Sequence, residues 1–294
     1  MIEVPVDLEV PEPFDAEALL VFFGRHAVPG IESYQEVEDR AGRRIHYART
    51  LRLPAGPGVL ELSYAAGTLT ATLQLSAVSD LDEGRLRLVH LCDLATDTRL
   101  VEAHLAADDE LRPLVAASPG LRVPGVVDAH EHLLRTMIGQ QISLAGAANC
   151  AGKLVARFGD SVGGSGPVVT AAGPLARLFP TASALAGADP ESLPMPRARG
   201  RAIVEMAAAL DEGRVQLSTT SDPAQVRATL LACRGVGPWT ADYVAMRALH
   251  DPDILLGSDL VIKRALVRRE ITDTSGWAPW RSYATMHLWR SWTG

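Results

Sequence analysis

The stretch from Pro223 to Arg269 reads PAQVRATLLACRGVGPWTADYVAMRALHDPDILLGSDLVIKRALVRR, and it decides which fold the sequence predicts. Its first proline follows Asp222, as a first-turn proline follows a helix cap, and apolar residues come next at helical spacing. This first helix is expected to end near Cys233. The whole stretch predicts a helix, a tight glycine hairpin, a second helix, a short acidic loop and a third helix.

The hairpin contains two glycines two positions apart, in the sequence Arg234-Gly235-Val236-Gly237. Glycine permits positive φ and lets a phosphate approach the backbone without meeting a Cβ atom. The free N–H groups in the first turn of the next helix point back at the hairpin. We therefore predict a DNA phosphate site, in which the contacting residues are Arg234, Gly235, Val236, Gly237 and Thr240. A plain helical turn is the alternative, because a GxG motif alone is unspecific.

Asp259 stands 20 residues after Trp239, at the start of the third predicted helix. An aspartate at this position is normally an N-cap, which contributes about 1 kcal/mol. If the hairpin holds a phosphate, the same carboxylate would face the attached sugar. It could then stabilise positive charge at C1′, or orient a water molecule, while an N-glycosidic bond breaks. Asp259 is therefore the predicted catalytic residue, and a simple helix cap is the alternative.

Aromatic residues are scarce, at 5% of the chain, yet three of them could form a pocket next to the hairpin. These are Trp239, Tyr243 and Trp289. A base flipped out of the duplex needs flat walls, and electron-rich indoles favour a base that carries positive charge. We predict a base pocket from these three residues, although core packing is the favoured interpretation for Tyr243 taken alone.

Composition fits a protein with one large domain or two ordinary ones, because 47% of its 294 residues are hydrophobic and 21% are charged. No apolar run reaches the ~18 residues of a membrane span, and the N-terminus is acidic. We expect a cytoplasmic protein without membrane contact. The cysteines, Cys92, Cys150 and Cys233, are too few for a four-cysteine iron–sulfur cluster.

The net charge of −7 is unevenly distributed along the chain. Residues 1–127 hold 11 basic and 20 acidic side chains, whereas residues 128–294 hold 17 and 15. A DNA-binding surface in the second part is therefore compatible with the acidic total. Such a surface would depend on backbone amides and on few phosphate contacts.

The element pattern predicts an α+β fold with two domains, at residues 1–112 and 113–294. The first contains an antiparallel sheet with helices, and its strands are expected at Arg49–Leu53, Val59–Tyr64 and Thr68–Leu75. A Pro/Gly linker, Ser118–Gly125, follows, and beyond it the strand signal largely disappears. The second domain is therefore predicted to be all-α.

Two polar features of the second domain have two interpretations each. Gln140 and Gln141 end a predicted helix. They are interpreted either as a solvated helix terminus or as the source of a polar side chain that enters a base stack. Arg197, Arg199 and Arg201 surround a helix start, where a solvated face is the favoured interpretation.

The residues of the hairpin stretch resemble those of a known family. LLACRGVGPWTADYVAMRAL at 230–249 and SDLVIKR at 258–264 are similar to the helix–hairpin–helix DNA glycosylase superfamily, specifically its 3-methyladenine DNA glycosylase II branch. Three further stretches fit the branch: GLRVPGVVDAHEHLLRTMIGQQIS at 120–143, LPMPRARGRAI at 193–203 and PWRSYATMHLW at 279–289. The resemblance therefore covers nearly the whole chain.

The resemblance implies a base-excision repair enzyme that flips alkylated bases, such as 3-methyladenine and 7-methylguanine, out of duplex DNA and hydrolyses the N-glycosidic bond. It implies a TATA-binding-protein-like first domain and a helix–hairpin–helix second domain. The catalytic residue falls on Asp259, the stacking tryptophans on Trp239 and Trp289, and the intercalating wedge on Gln141. A monomer acting on damaged duplex DNA is expected.

The resemblance also implies that no cofactor is required, although a Na⁺ or K⁺ ion is expected at the hairpin. Main-chain carbonyls of Leu231, Cys233 and Val236 would hold it. Members that also cut the DNA backbone carry a lysine where Trp239 stands, so a monofunctional enzyme is predicted. The wedge is Gln141 where the best-known members have leucine.

Three alternatives remain open from the sequence: a DNA-binding protein without catalysis, a glycosylase with a different lesion range, and a bifunctional lyase.

Overall fold

The computed structural model describes residues 1–40, 42–164, 166–218 and 220–293 of the chain. It consists of two compact units that interleave along the sequence. The first unit contains Met1–Glu9, Ala16–Val89 and His130–Arg214, and the second contains Val10–Asp15, His90–Ala129 and Val215–Gly294. The domain boundary predicted between residues 112 and 113 was placed where the strand pattern gives way to a helical one. It stays a prediction.

The strands are β1 (Ile2–Val6), β2 (Glu32–Asp39), β3 (Gly42–Leu53), β4 (Gly56–Ala65), β5 (Thr68–Leu75), β6 (Val168–Thr170) and β7 (Gly173–Leu175). The α-helices are α1 (Ala16–Arg25), α2 (Leu81–Cys92), α3 (Thr98–Leu105), α4 (Arg112–Ala117), α5 (Ala129–Ile138), α6 (Leu144–Phe158), α7 (Ala182–Ala186), α8 (Arg197–Asp211), α9 (Pro223–Leu231), α10 (Pro238–Ala248), α11 (Leu260–Arg268) and α12 (Arg281–Thr293). Among the described residues, no helix is both long and apolar enough to cross a membrane.

Strands β1 to β5 form the antiparallel sheet of the first unit, in the order β1-β5-β4-β3-β2. The turn between β4 and β5 contains Ala66 at φ 49° and Gly67 at φ 82°. Two successive positive φ angles are typical of the two-residue hairpin turn whose twist matches that of the strands. The α+β fold class and the three predicted strands are confirmed.

The prediction that the chain is all-α from residue 113 onward is wrong at β6 and β7. These short strands pair with each other, with Thr170 opposite Gly173 at the turn end. The buried side chain of Leu175 packs in a cluster with Ala48 and Val59 of the main sheet. Three-residue strands are too short to produce an alternating hydrophobic pattern, so no strand was predicted there.

A buried ion cluster joins the main sheet of the first unit to α5. Arg49 on β3 donates from Nη2 to both carboxylate oxygens of Glu131, each at 2.9 Å. Arg135, one helical turn after Glu131, donates to Glu131 at 2.8 Å and to Glu32 on β2 at 2.8 Å. The hydroxyl of Tyr47 donates to Glu32 at 2.7 Å. The four charged residues form a closed network in which each has an opposite charge beside it.

Electrostatic attraction keeps Glu32 ionised within this cluster. Burial alone would raise the pKa of Glu32, but Arg135 and Arg49 outweigh that effect and lower the pKa to about 2. A buried charge that loses its partner is strongly destabilising, because water cannot replace the lost interaction. The position of α5 in the first unit therefore depends on all members of the cluster being present.

We expect Glu131→Gln to lower the free energy of unfolding by about 3–5 kcal/mol, because it leaves two buried arginines with one carboxylate between them. Urea denaturation, followed by far-ultraviolet circular dichroism, measures the loss, because all five tryptophans lie in the second unit. Glu83→Gln is the matched control, since Glu83 forms the same i,i+4 pair with Arg87 at 2.7 Å but is 39% exposed. The control should cost less than about 1 kcal/mol. Equal losses in the two variants would contradict the anchoring role of the cluster.

Candidate active site

The predicted helix–hairpin–helix is present in the second unit as α9, a short turn and α10. The carboxylate of Asp222 caps α9 by accepting from the N–H of Ala224 at 3.0 Å. Gly235 has φ 81°, a left-handed conformation that favours glycine. Gly237 is the N-cap residue of α10, and a Cβ atom built on it would meet nothing within 4 Å. The turn therefore leaves open space beside the first N–H groups of α10.

Asp259 caps α11, as the simpler interpretation predicted. Its Oδ1 atom accepts from the backbone N–H groups of Val261 at 2.8 Å and Ile262 at 3.1 Å. Two of the free N–H groups at the start of the helix are satisfied in this way. The helix backbone thus fixes where the carboxylate lies.

The same carboxylate also accepts hydrogen bonds from both predicted tryptophans. The Nε1–H of Trp239 donates to Oδ2 at 2.9 Å, and the Nε1–H of Trp289 donates to Oδ1 at 3.3 Å. Four N–H groups therefore converge on Asp259. Hydrogen bonds to an ionised acceptor are roughly twice as strong as those between neutral groups.

Tyr243 connects the two indoles. Its ring stacks on that of Trp239, with centroids 5.0 Å apart and an interplanar angle of 24°. It meets the ring of Trp289 edge to face, at 6.1 Å and 71°. The structure thus brings together the carboxylate and the three aromatic residues that the sequence singled out, although they span 51 positions from Trp239 to Trp289.

The residues predicted at the hairpin lie in the same helix pair, with different exposure. Arg234 and Gly235 are exposed, whereas Thr240 as a whole residue is buried at 2% exposure. The DNA contact predicted for Thr240 therefore has almost no exposed surface to support it and stays a prediction. The carbonyl oxygen of Cys233 accepts from the N–H of Val236 at 3.3 Å, and Leu231 is the last residue of α9.

Gln141 belongs to the first unit, in the turn between α5 and α6. It is exposed and has φ 59°, a left-handed conformation that is uncommon for a residue with a side chain. Arg199 braces this turn by donating to the carbonyl oxygens of Gln140 at 2.6 Å and Ile138 at 3.4 Å. The interpretation of Arg199 as part of a solvated face is therefore wrong.

The solvated interpretation fits the neighbours of Arg199 better. Arg197 and Arg201 are exposed and pair with Glu191, at 3.5 and 3.1 Å.

Arg247 is a residue of this region that sequence reasoning missed. It is 8% exposed, one helical turn after Tyr243 on α10. Its Nη1 atom donates to the Tyr243 hydroxyl at 2.8 Å, while Nε and Nη2 donate to the carbonyl oxygens of Pro124 at 2.6 Å and Gly125 at 2.9 Å. The sequence signal was an arginine at i+4 from Tyr243, and such i,i+4 neighbours also occur on solvated helix faces.

Comparison with known proteins agrees with the predicted family. Residues 5–128 match the family model for the AlkA N-terminal domain. A protein of Mycobacterium tuberculosis named probable bifunctional transcriptional activator/DNA repair enzyme AlkA is 40% identical over 97% of this chain. The chain spans only 56% of the length of that relative.

Two further proteins match over nearly their full length. The DNA-3-methyladenine glycosylase 2 of Escherichia coli is 31% identical, with 94% of each chain covered. The solved structure of a 3-methyladenine DNA glycosylase from Archaeoglobus fulgidus has a TM-score of 0.74 at 21% identity, covers 98% of this chain and 97% of its own, and shares the fold. Since the Escherichia coli protein is matched over nearly all of both sequences, the chain belongs to the DNA-3-methyladenine glycosylase 2 family.

Proposed function

We propose that this protein is a monofunctional DNA glycosylase, which flips alkylated bases of the 3-methyladenine and 7-methylguanine type out of duplex DNA and hydrolyses the N-glycosidic bond. The single observation that carries the proposal is the carboxylate of Asp259 held between two indoles. Trp239 and Trp289 both donate to it, and Tyr243 links their rings. Family membership supports the same reaction class.

The chemistry of an alkylated base explains the choice of these side chains. Methylation at a ring nitrogen gives the base a positive charge, and the faces of tryptophan and tyrosine rings attract cations. Stacking against Trp239, Tyr243 or Trp289 would therefore favour a charged base over a neutral one. Lesion selection by stacking is consistent with a pocket that presents rings and one carboxylate.

Asp259 would act on the sugar as the base departs. The C1′ atom gains positive charge when the N-glycosidic bond breaks, and a preorganised carboxylate stabilises that charge. The same group can orient the attacking water molecule. Because α11 already holds the carboxylate by two backbone N–H groups, it needs little reorganisation at the moment of reaction.

The hairpin would hold a phosphate of the damaged strand. Gly235 and Gly237 leave the backbone accessible, and the first N–H groups of α10 favour an anion. A Na⁺ or K⁺ ion on the carbonyls of Leu231, Cys233 and Val236 would add a positive charge there. Leu231 ends α9, where carbonyls lack partners within the helix, and Cys233 and Val236 lie in the turn that follows. No further cofactor is required by the proposal.

Gln141 is the proposed wedge that occupies the space left by the flipped base. Its support is its exposure, its left-handed backbone and the bracing of its turn by Arg199. The protein is proposed to work as a monomer on duplex DNA in the bacterial cytoplasm.

We expect Asp259→Asn to lower the single-turnover rate of 7-methylguanine release from methylated duplex DNA by roughly 100-fold or more, because the developing charge loses its counter-charge. Asparagine is also a good N-cap, so α11 should remain stable. The affinity for a duplex with a tetrahydrofuran abasic-site analogue should change little. Release is measured by chromatography of the free base.

Asp222→Asn is the matched control, since it removes the charge of another helix cap in the same unit, at the start of α9. It should leave the rate of release nearly unchanged. Full activity in Asp259→Asn would refute the role of this carboxylate. A wild-type protein that binds the duplex but releases no base from it would favour the non-catalytic alternative.

We expect sodium borohydride to trap no covalent adduct with abasic DNA, because the pocket presents Trp239 where a Schiff-base lysine would be needed. Lys153 and Lys263 are the only lysines in the sequence. Gel electrophoresis of the reduced mixture measures the adduct. If an adduct does form, the protein is not monofunctional, and Lys153→Arg and Lys263→Arg would identify the amine.

We expect Gly237→Ala to weaken binding to the abasic-analogue duplex about tenfold, while the free energy of unfolding falls by only about 1 kcal/mol or less, the cost of alanine at an N-cap. The free protein has room for the added methyl group, but an approaching phosphate would meet it. Gly276→Ala is the control, because a Cβ atom there also meets nothing within 4 Å. Equal affinities of the two variants would argue against a phosphate at the hairpin.

A further inference from the structure

Arg247 occupies a position from which it can control the shape of the base pocket. It lies on α10 at i+4 from Tyr243 and i+8 from Trp239, so that the three side chains share one face of the helix. Its guanidinium is buried, and it connects the Tyr243 hydroxyl with two backbone carbonyl oxygens. Arg247 therefore links a residue of the proposed pocket, Tyr243, to the backbone of Pro124 and Gly125.

The backbone end of the connection cannot move easily. A Cβ atom on Gly125 would lie 2.0 Å from the carbonyl oxygen of His90 and 2.5 Å from Nε2 of His250, so the chain passes there with no space for a side chain. The N–H of Gly125 also donates to the carbonyl oxygen of Leu91 at 2.9 Å. The carbonyl oxygens that Arg247 binds are therefore fixed points of the second unit.

The hydroxyl of Tyr243, at the other end of the connection, is held by Arg247. Tyr243 contacts both indoles through its ring. The hydrogen bond of 2.8 Å from Arg247 to its hydroxyl, at the far end of the ring, adds a directional constraint that ring contacts lack. Only a planar fork with several N–H donors can reach the hydroxyl and both carbonyls together, so lysine could not replace arginine here.

We propose that Arg247 is a positioning residue of the base pocket, which transmits the fixed geometry of Pro124 and Gly125 to the ring of Tyr243. The inference rests on the proposed function, in which that ring contacts the flipped base. Misplacement of a contacting group by about 1 Å can cost up to 100-fold in rate. Arg247 would thus set the rate of base release without touching DNA.

A double-mutant cycle with Tyr243→Phe and Arg247→Met tests the proposal. Tyr243→Phe keeps the ring and removes only the hydroxyl that Arg247 binds. We expect each single variant to lower the single-turnover rate of 7-methylguanine release roughly tenfold, and the double variant to be no slower than Arg247→Met alone. Additive losses, about 100-fold in the double variant, would overturn the proposal, because they would mean that Arg247 acts independently of the hydroxyl.

Two controls separate positioning from a general loss of structure. Binding of the abasic-analogue duplex, which has no base to place in the pocket, should change less than about twofold in all three variants. Arg281→Met removes an arginine of the same unit that pairs with Asp253 at 2.6 Å, and it should leave the rate unchanged. Weaker abasic binding that parallels the loss in rate would also overturn the proposal.

A second measurement distinguishes failure of this inference from failure of the proposed function. Near-ultraviolet circular dichroism reports how tightly aromatic rings are held, and it needs no substrate. We expect Arg247→Met and Tyr243→Phe to weaken the tryptophan bands of the signal, to which neither changed residue contributes directly, to the same extent and without additivity. If the wild-type protein releases no base, the glycosylase proposal fails, and this signal still decides whether Arg247 holds Tyr243. Unchanged signals in both variants would overturn the inference.

Discussion

The hydrogen bonds to Asp259 are the interaction on which the candidate site depends. A helix start leaves N–H groups without partners, and the carboxylate of Asp259 satisfies two of them at the start of α11. That requirement holds the charged group in place before any substrate arrives. The helix cap and the catalytic residue are therefore compatible interpretations of one side chain, since capping provides the preorganisation that electrostatic catalysis needs.

The aromatic wall follows from the same carboxylate. An indole that donates its only N–H to a fixed acceptor can no longer turn freely about its side-chain torsion angles. Trp239 and Trp289 are each held in this way, at 2.9 and 3.3 Å from Asp259. Hydrogen bonds to charged groups contribute about 1.5–3 kcal/mol each, more than neutral ones. Both indoles of the proposed base pocket are thus held by Asp259, and the hydroxyl of Tyr243 is held by Arg247.

Most elements of the candidate site could be predicted from local sequence patterns. Asp222, the two hairpin glycines, Pro238 and Asp259 each stand at a helix boundary, where short-range rules decide the conformation. The Arg49–Glu131 pair could not be predicted, because its members are 82 positions apart and neither has a distinctive neighbour. Pairings of this kind depend on tertiary packing. Arg199 was misinterpreted and Arg247 was missed for the same reason, since they donate to carbonyls of distant segments.

In both units, arginine side chains connect several hydrogen-bond acceptors at once, and this use of arginine in place of lysine affects how the protein can react with an aldehyde. Arg49 and Arg135 in the first unit, and Arg122 and Arg247 in the second, each bind two or more acceptors, which suits a planar fork and does not suit an ammonium group. Lysine has only two positions in the sequence, 153 and 263. Under the proposed function the product is an abasic sugar, whose aldehyde form condenses with primary amines. A guanidinium stays protonated and does not undergo this reaction, so a protein stabilised by arginine can bind its product with little risk of forming a covalent imine.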